Sequence, residues 1–266
     1  MIRRRDSRHR VRVAAVAGCA ALVLAGCSPT ASSPGAPGDA NALTGELTIF
    51  AAASLTASFT ELAQEFAADH PGVTVRPISF DGSSTLATQL REGAPVDVFA
   101  SADEATMATV TDLTDGTPEV FATNVLQIAV GPGNPLGIRA LADLARPGVQ
   151  VVLCAPAVPC GTASHDLLDL DRVTLTPVSE EQNVTAVLTK VRTGEADAGL
   201  VYLTDVAAAA GAVDGVGIAG ADHAANRYPI AAMNGSRHPD VAQAFVNFVL
   251  SARGQTVLAT YGFGTP

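Results

Sequence analysis

The stretch "ELTIFAAASLTASFTELAQEFAADH" (Glu46–His70) changes from a strand pattern to a helix pattern and indicates the fold class. Its first five residues predict a β-strand. Apolar residues then recur at Leu55, Phe59, Leu62 and Phe66, with the three- and four-residue spacing of one helix face. A strand followed directly by an amphipathic helix is the repeating unit of α/β folds.

The same alternation continues along the chain. Strands are predicted from "VTVRPISF" and "VDVFAS", with a helix from "SSTLATQLREG" between them, and a second set starts with the strand "NVLQIAV". Later strands are predicted from "VQVVLCA", "VTLTPVS", "ADAGLVYLTD" and "RYPIAAM", and two helices close the chain. This order predicts an α/β fold with mostly parallel strands in two lobes. Residues 46–123 with 229–266 would form the first lobe and 124–228 the second, with the ligand between them beyond the strand ends.

The N-terminus has the pattern of an export signal. A basic segment and an apolar run too short to span a membrane comfortably end in "LAGC", which resembles the lipobox of bacterial lipoproteins. Residues 1–26 are therefore predicted to be a signal peptide, and Cys27 the acylated residue that anchors the protein to the outer face of the cell membrane. An ordinary signal peptide cut elsewhere remains the alternative. Residues 27–45, rich in Pro, Ser, Ala and Gly, predict a flexible tether.

The charge of the chain disfavours nucleic acid as a partner. The formal net charge is −10, and six arginines and one aspartate precede Cys27. Ten basic and twenty-five acidic residues then remain in the body, which gives it a charge of about −15. Phosphate binding would need a basic face.

Serines stand where predicted strands meet helices. Ser54 follows the strand in "IFAAASL", Ser83 follows the turn in "SFDGSST", and two further junctions lie near Gly161 and Val184. The serines could simply cap helices. Helix starts also present unpaired N–H groups that bind anions, and no basic residue lies in "AAASL", "DGSST" or "VPCGT". The pattern therefore favours a neutral cage of hydroxyls and amides around an oxyanion.

The motifs "FAAASL", "SSTLATQLREGAPVDVFASAD" and "ADAGLVYLTD" resemble those of extracytoplasmic molybdate-binding proteins that serve ABC importers. The resemblance covers the chain from Leu47 to Phe263. It implies a two-lobed periplasmic-binding-protein fold of the second topological type, molybdate or tungstate as ligand, and a membrane permease as partner. It also implies a monomer without a cofactor, in which any metal is bound only as the oxyanion.

The same resemblance implies five ligand-binding residues. The side-chain hydroxyls of Ser54, Ser83 and Tyr202 and the backbone amides of Cys160 and Val184 would hold the oxyanion. Cys160 departs from the alanine found in well-known members of the family, which a contact through the backbone N–H tolerates.

Two other functions remain as alternatives. The protein could bind another tetrahedral oxyanion, such as sulfate or thiosulfate, or it could be an exported α/β hydrolase. A serine hydrolase needs a nucleophile elbow or a neighbouring base, and the sequence has no G-x-S-x-G motif. The protein is therefore predicted not to be an enzyme. Of the histidines, only His165 is a candidate for a place near the cleft, and no paired Cys/His motif predicts a metal site.

Cys154 and Cys160 are the two cysteines of the predicted body after Cys27. A structural zinc site would need four ligands, and a thioredoxin-type motif would have two residues between its cysteines. In an exported protein this pair predicts a disulfide. We expect it to hold the amides of Cys160 and Gly161 toward the cleft.

Overall fold

In the computed structural model of the chain, which describes residues 42–266, the strand predicted at the start of the body forms as two short strands. The first, β1 (Gly45–Leu47), pairs in parallel with β3 (Val73–Val75), and the second, β2 (Ile49–Ala52), joins a larger sheet. The predicted signal peptide, the predicted lipidation site Cys27 and most of the predicted tether lie outside the described residues.

The remaining strands and the helices alternate along the chain. The other strands are β4 (Ser79–Asp81), β5 (Val98–Ala100), β6 (Thr114–Asn124), β7 (Leu126–Val130), β8 (Val151–Cys154), β9 (Ser179–Glu181), β10 (Ala198–Tyr202), β11 (Asp214–Gly217) and β12 (Asn226–Met233). The helices are α1 (Thr56–Asp69), α2 (Ser83–Arg91), α3 (Glu104–Ala108), α4 (Pro159–Leu170), α5 (Val184–Thr193), α6 (Leu203–Ala208), α7 (Pro239–Leu250) and α8 (Ala252–Thr260).

Two five-stranded sheets form the two lobes. Their strand orders are β4-β2-β5-β12-β6 and β11-β7-β10-β8-β9. Strand β2 runs parallel to β4 and β5, and β8 runs parallel to β9 and β10. By contrast, β12 and β7 are antiparallel to both of their neighbours. The predicted two-lobed α/β fold is confirmed, but each of these sheets contains two parallel and two antiparallel strand pairs.

Helix α1 covers the first sheet through the face predicted from its apolar spacing. Leu55, Phe59, Leu62 and Phe66 are fully buried. The rings of Phe59 and Phe66 pack edge-on against Phe245 of α7, with centroids 6.1 and 5.3 Å away. Each buried side chain of this size contributes about 1.5–3 kcal/mol of transfer free energy, so this face holds the helix on the sheet.

Three segments differ from the sequence prediction. The strand predicted from "VTVRPISF" breaks into β3 and β4 around Pro77, which has no N–H to donate to a neighbouring strand. The strand predicted from "VTLTPVS" is wrong except at Ser179, the first residue of β9. Strand β6 was not predicted, because its first half, "TDGTPEV", lacks the alternating pattern and forms by pairing with β12.

The chain passes between the sheets twice. The first passage joins β6 to β7 at Asn124–Leu126, and the second lies between β11 and β12, at residues 218–225. The second passage ends just before residue 228, the last residue of the predicted second lobe. The lobe bounds given above stay a prediction. None of the helices described in residues 42–266 is both long and apolar enough to cross a membrane.

Candidate functional site

A small cavity lies between the two sheets, where strand ends meet helix starts. Its volume is about 20 Å³, somewhat more than the roughly 10–15 Å³ that one water molecule needs. All five residues implied by the resemblance line it: Ser54, Ser83, Cys160, Val184 and Tyr202. The other lining residues are Ala52, Ala53, Asp81, Gly82, Ala102, Val158, Pro159, Gln182 and Asn183.

Five junctions between strands and helices supply these residues. After β2, a single 3-10 turn (Ala53–Leu55) holds Ser54, so this serine lies ahead of α1 and is not its N-cap. Ser83 is the first residue of α2. Cys160 lies in the first turn of α4, after a short loop from β8, and Val184 opens α5 directly after β9. Strand β10 ends at Tyr202.

The three hydroxyl groups differ in their partners. Ser54 Oγ lies 2.9 Å from Tyr228 Oη. Ser83 Oγ accepts the Ala102 N–H at 2.9 Å, which leaves the proton of Ser83 free for another acceptor. Tyr202 Oη is buried and has no hydrogen-bond partner among the described residues. Burial also raises the pKa of Tyr202 well above its usual value, so the group stays a donor at neutral pH.

Two helix starts add backbone donors. Helix α4 has Pro159 in its first turn and no side-chain cap, so the N–H of Cys160 has no intrahelical partner. In α5, the side chain of Asn183 accepts the N–H of Ala186 at 3.0 Å. That cap leaves the N–H of Val184 for a ligand, next to the positive end of the helix dipole.

Among the described residues, the cavity wall contains no basic side chain and a single charged one, Asp81. The Asp81 Oδ1 atom already accepts Gly82 N–H at 2.7 Å and Asn183 Nδ2 at 2.8 Å. The polar groups of the wall are therefore neutral donors together with one carboxylate whose Oδ1 atom already accepts two hydrogen bonds. That arrangement suits an anion that carries acceptor atoms on all sides.

Residues behind the wall were not found from the sequence. Tyr228 hydrogen-bonds Ser54, and Asn124 in turn hydrogen-bonds Tyr228. Asp205 accepts the Tyr202 N–H at 3.0 Å. For Tyr228 the available signal is a single hydroxyl in "RYPIAAM", a strand that is otherwise apolar after Arg227, since a buried Tyr hydroxyl needs a partner.

The predicted disulfide is confirmed. Cys154 and Cys160 are bonded, with Cα atoms 5.7 Å apart. The bond ties the end of β8 to the first turn of α4, beside the cavity. His165 lies further along α4 and does not line the cavity. No cluster of His, Cys, Asp and Glu that could hold a metal ion occurs among residues 42–266.

The family model and the relatives found by comparison with known proteins agree with one another. Residues 47–264 match the family of bacterial extracellular solute-binding proteins. The chain is 46% identical to the molybdate-binding protein ModA of Mycobacterium tuberculosis, over 93% of this chain and 94% of that protein. It is 30% identical to the molybdate-binding protein ModA of Escherichia coli, over 85% of this chain and 91% of that protein.

Solved structures share the fold. The periplasmic molybdate-binding protein of Azotobacter vinelandii superposes with a TM-score of 0.69 at 20% identity, covering 83% of this chain and 99% of that one. The sulfate-binding protein SubI of M. tuberculosis gives 0.68 at 22% identity, covering 82% and 86%. At these identities the likeness concerns the fold.

Proposed function

Because this chain belongs to the bacterial extracellular solute-binding proteins, we propose that its interlobe cavity is where it binds its ligand. The protein binds molybdate outside the cytoplasmic membrane and serves an ABC transporter. The identity to mycobacterial molybdate-binding proteins over nearly the whole chain supports this function. Tungstate, which has the same charge and shape, is proposed as a second ligand.

The observation that carries the site assignment is the chemistry of the cavity wall. Hydroxyls of Ser54, Ser83 and Tyr202 and amides of Cys160 and Val184 line one small space, to which residues 42–266 contribute no basic side chain. Hydrogen bonds to a charged group contribute about 1.5–3 kcal/mol each. Several of them would hold a dianion tightly, even after the cost of ordering the lobes around it.

Sulfate is the competing ligand, because it has the same charge and the same tetrahedral shape. The likeness to a sulfate-binding protein shows that this fold also occurs in proteins named for sulfate. Binding of sulfate or thiosulfate instead of molybdate is therefore the second candidate. Discrimination between these anions would rest on the size of the closed cavity, since every donor in the wall serves them equally.

No catalytic role or cofactor is proposed. A serine nucleophile requires an adjacent base. Among residues 42–266, the side chain that hydrogen-bonds Ser54 is Tyr228, whose pKa burial raises far above neutrality. Ser83 Oγ is bonded to a backbone amide. Both serines are therefore proposed as hydrogen-bond donors to the ligand.

The "LAGC" motif supports a lipid anchor at Cys27. We propose that the anchor keeps a monomeric protein at the outer face of the membrane, beside its permease. Mass spectrometry of the protein purified from its native membrane would test this. A diacylglyceryl mass on the N-terminal peptide is expected, and an unmodified peptide cut elsewhere would contradict it.

Calorimetric titration with molybdate, tungstate, sulfate and phosphate tests the function. Molybdate and tungstate should bind more tightly than sulfate, with phosphate weakest. Equal affinity for sulfate would contradict the selectivity, and no heat from any anion would contradict the function itself.

A Ser83→Ala variant tests the site assignment. It should weaken molybdate binding roughly 10- to 100-fold. The matched control is Ser58→Ala, since Ser58 is equally buried and its hydroxyl bonds Leu55 O, but it does not line the cavity. Equal effects of the two variants would contradict the placement of the site.

A further inference from the structure

The hydroxyl of Ser54 is bonded to a second buried hydroxyl, and the direction of that bond decides what Ser54 can offer a ligand. Ser54 Oγ and Tyr228 Oη lie 2.9 Å apart, and either oxygen could donate. Tyr228 is fully buried in β12 and does not line the cavity. If Tyr228 donates, the Ser54 proton is free to point at the ligand. If Ser54 donates, its proton points at Tyr228 and is not available to the ligand.

The side chain of Asn124 favours the first of these two directions. Its Oδ1 atom accepts the N–H of Val125 at 3.0 Å, which fixes which end of the amide is the oxygen. The Nδ2 atom therefore faces the other way. It donates to Thr204 Oγ1 at 2.8 Å and, over a longer 3.5 Å, to Tyr228 Oη. A flipped amide would place its NH₂ group against the Val125 N–H and lose that bond.

The consequence is a chain of donors directed at the cavity. Asn124 already donates a hydrogen bond to Tyr228 Oη, so when Tyr228 in turn donates to Ser54 Oγ, each of the two hydroxyls accepts one bond and donates one. Ser54 Oγ then accepts from Tyr228, and its single proton is left for the cavity that it lines. Burial raises the pKa of Tyr228 far above neutrality, so the phenol keeps the proton that this chain requires.

The two residues also lie at the passages between the sheets. Asn124 ends β6 at the first passage, and Tyr228 stands near the start of β12 after the second. Thr204, the other partner of Asn124, belongs to α6 beside the second sheet. The amide therefore takes its orientation from contacts on both sides of the cleft.

We propose that Tyr228 and Asn124 are positioning residues that hold the Ser54 hydroxyl as a donor toward the bound oxyanion. This inference rests on the proposed function, since Ser54 must contact the anion. It assigns a role in binding to two residues that do not themselves touch the ligand.

A double-mutant cycle tests the proposal, with molybdate affinity measured by calorimetry. Tyr228→Phe keeps the ring, which packs against Phe121 and Phe263, and removes only the hydroxyl. We expect it to weaken molybdate binding about five- to tenfold in the native protein. In a Ser54→Ala background the same change should alter affinity less than about twofold, because no hydroxyl remains to be oriented.

Two further variants serve as a control and as an alternative test. Tyr261→Phe is the matched control, since its hydroxyl bonds Glu61 of α1 and neither residue lines the cavity, and it should leave affinity unchanged. Asn124→Ala removes the donor to Tyr228 and should weaken binding in the native background but not with Ser54→Ala. It provides the test if Tyr228→Phe proves too unstable by thermal unfolding.

The outcomes separate the two proposals. An equal loss of affinity in both backgrounds would assign Tyr228 a purely structural role and overturn the inference. An unchanged affinity in Tyr228→Phe would overturn it as well. In either case, tight binding of molybdate by the native protein would leave the proposed function standing. Native protein that failed to bind molybdate would contradict the proposed function instead.

Discussion

Asp205 is a buried carboxyl group directly behind a residue of the cavity wall. In residues 42–266, the hydrogen bond that reaches its carboxylate comes from the Tyr202 N–H at 3.0 Å. Burial raises the pKa of Asp205 to about 7, and the Tyr202 N–H opposes this shift only partly. At neutral pH the group is therefore partly protonated. This reduces the negative charge close to a site for anions.

This raised pKa predicts how stability depends on pH. Between about pH 4 and 7 the folded protein keeps a proton on Asp205 that the unfolded chain has lost, so stability falls as pH rises through this window. Asp205→Asn stays neutral and can still accept the Tyr202 N–H. From pH 4.5 to 8 we expect the variant to gain stability relative to the native protein, by on the order of 2–4 kcal/mol.

Urea unfolding at several pH values measures this difference. Asp115→Asn, an exposed change on β6, is the control and should show no such trend. A difference between Asp205→Asn and native protein that stayed constant with pH would contradict the raised pKa.

At the level of residues, the sequence predicted the site residues whose role can be recognised from their immediate neighbours in the chain. Ser54 and Ser83 follow strands and precede helices, so their position at the wall could be inferred from the chain itself. Tyr228 and Asn124 could not be found this way. Their role depends on contacts 174 and 104 residues apart in sequence, which only the folded arrangement of the sheets creates.

The loop from β8 to α4 is the element that the disulfide controls. Cys154 ends the strand and Cys160 lies in the first helical turn. The chain folds back so closely that a Cβ atom on Gly161 would lie 1.8 Å from the carbonyl oxygen of Ala155. Glycine is therefore required here, and the loop and the disulfide together fix the position of the Cys160 amide.

Removing the disulfide should affect both stability and binding. A Cys154→Ala, Cys160→Ala variant avoids burying new hydroxyls at two sites that are nearly inaccessible. Unfolding free energy should fall by about 2 kcal/mol, as expected for so short a loop. Molybdate affinity should also fall, because the Cys160 amide loses its fixed position.

Reductant provides the control for this prediction. It should lower the affinity of the native protein to that of the variant and leave the variant unchanged, as measured by calorimetry. Lower stability with native affinity would mean that the disulfide supports the fold but not the site.

Elements were predicted where the sequence pattern is strong. The face of α1 follows from the spacing of Phe59, Leu62 and Phe66, each of which is buried. The polar first half of β6 carries no such signal, and residues 173–178 carry a misleading one, since Val173 and Leu175 alternate with threonines in a segment without regular structure. Pairing with β12 decided the structure of the first segment, and a local pattern does not report such pairing.

At the scale of the whole molecule, the two lobes are in direct contact around the cavity. Ser84 Oγ donates to the Ala157 carbonyl at 2.9 Å, and Asn183 Nδ2 donates to Asp81 Oδ1 at 2.8 Å. Gly82 lies so close to the other lobe that a Cβ atom there would lie 2.2 Å from the carbonyl oxygen of Gln182. These contacts describe a closed arrangement, and two chain passages permit the lobes to separate.

Gly82→Ala should therefore impair closure without unfolding either lobe. The backbone of Gly82 has φ of −57°, which alanine adopts readily, so the first lobe should fold normally. The added methyl group would collide with Gln182 only when the lobes close. We expect molybdate affinity to fall at least about tenfold. Small-angle scattering should show ligand-dependent compaction in native protein and little in the variant.

Gly131→Ala is the matched control, because a Cβ atom there meets no atom within 4 Å and the residue does not have positive φ. It should bind and compact like native protein. Native affinity in Gly82→Ala would mean that the lobes bind the anion without this close approach. Lost affinity with unchanged compaction would mean that the methyl group disturbs the adjacent Ser83 and not closure, so the two measurements together locate the effect in the motion or in the site.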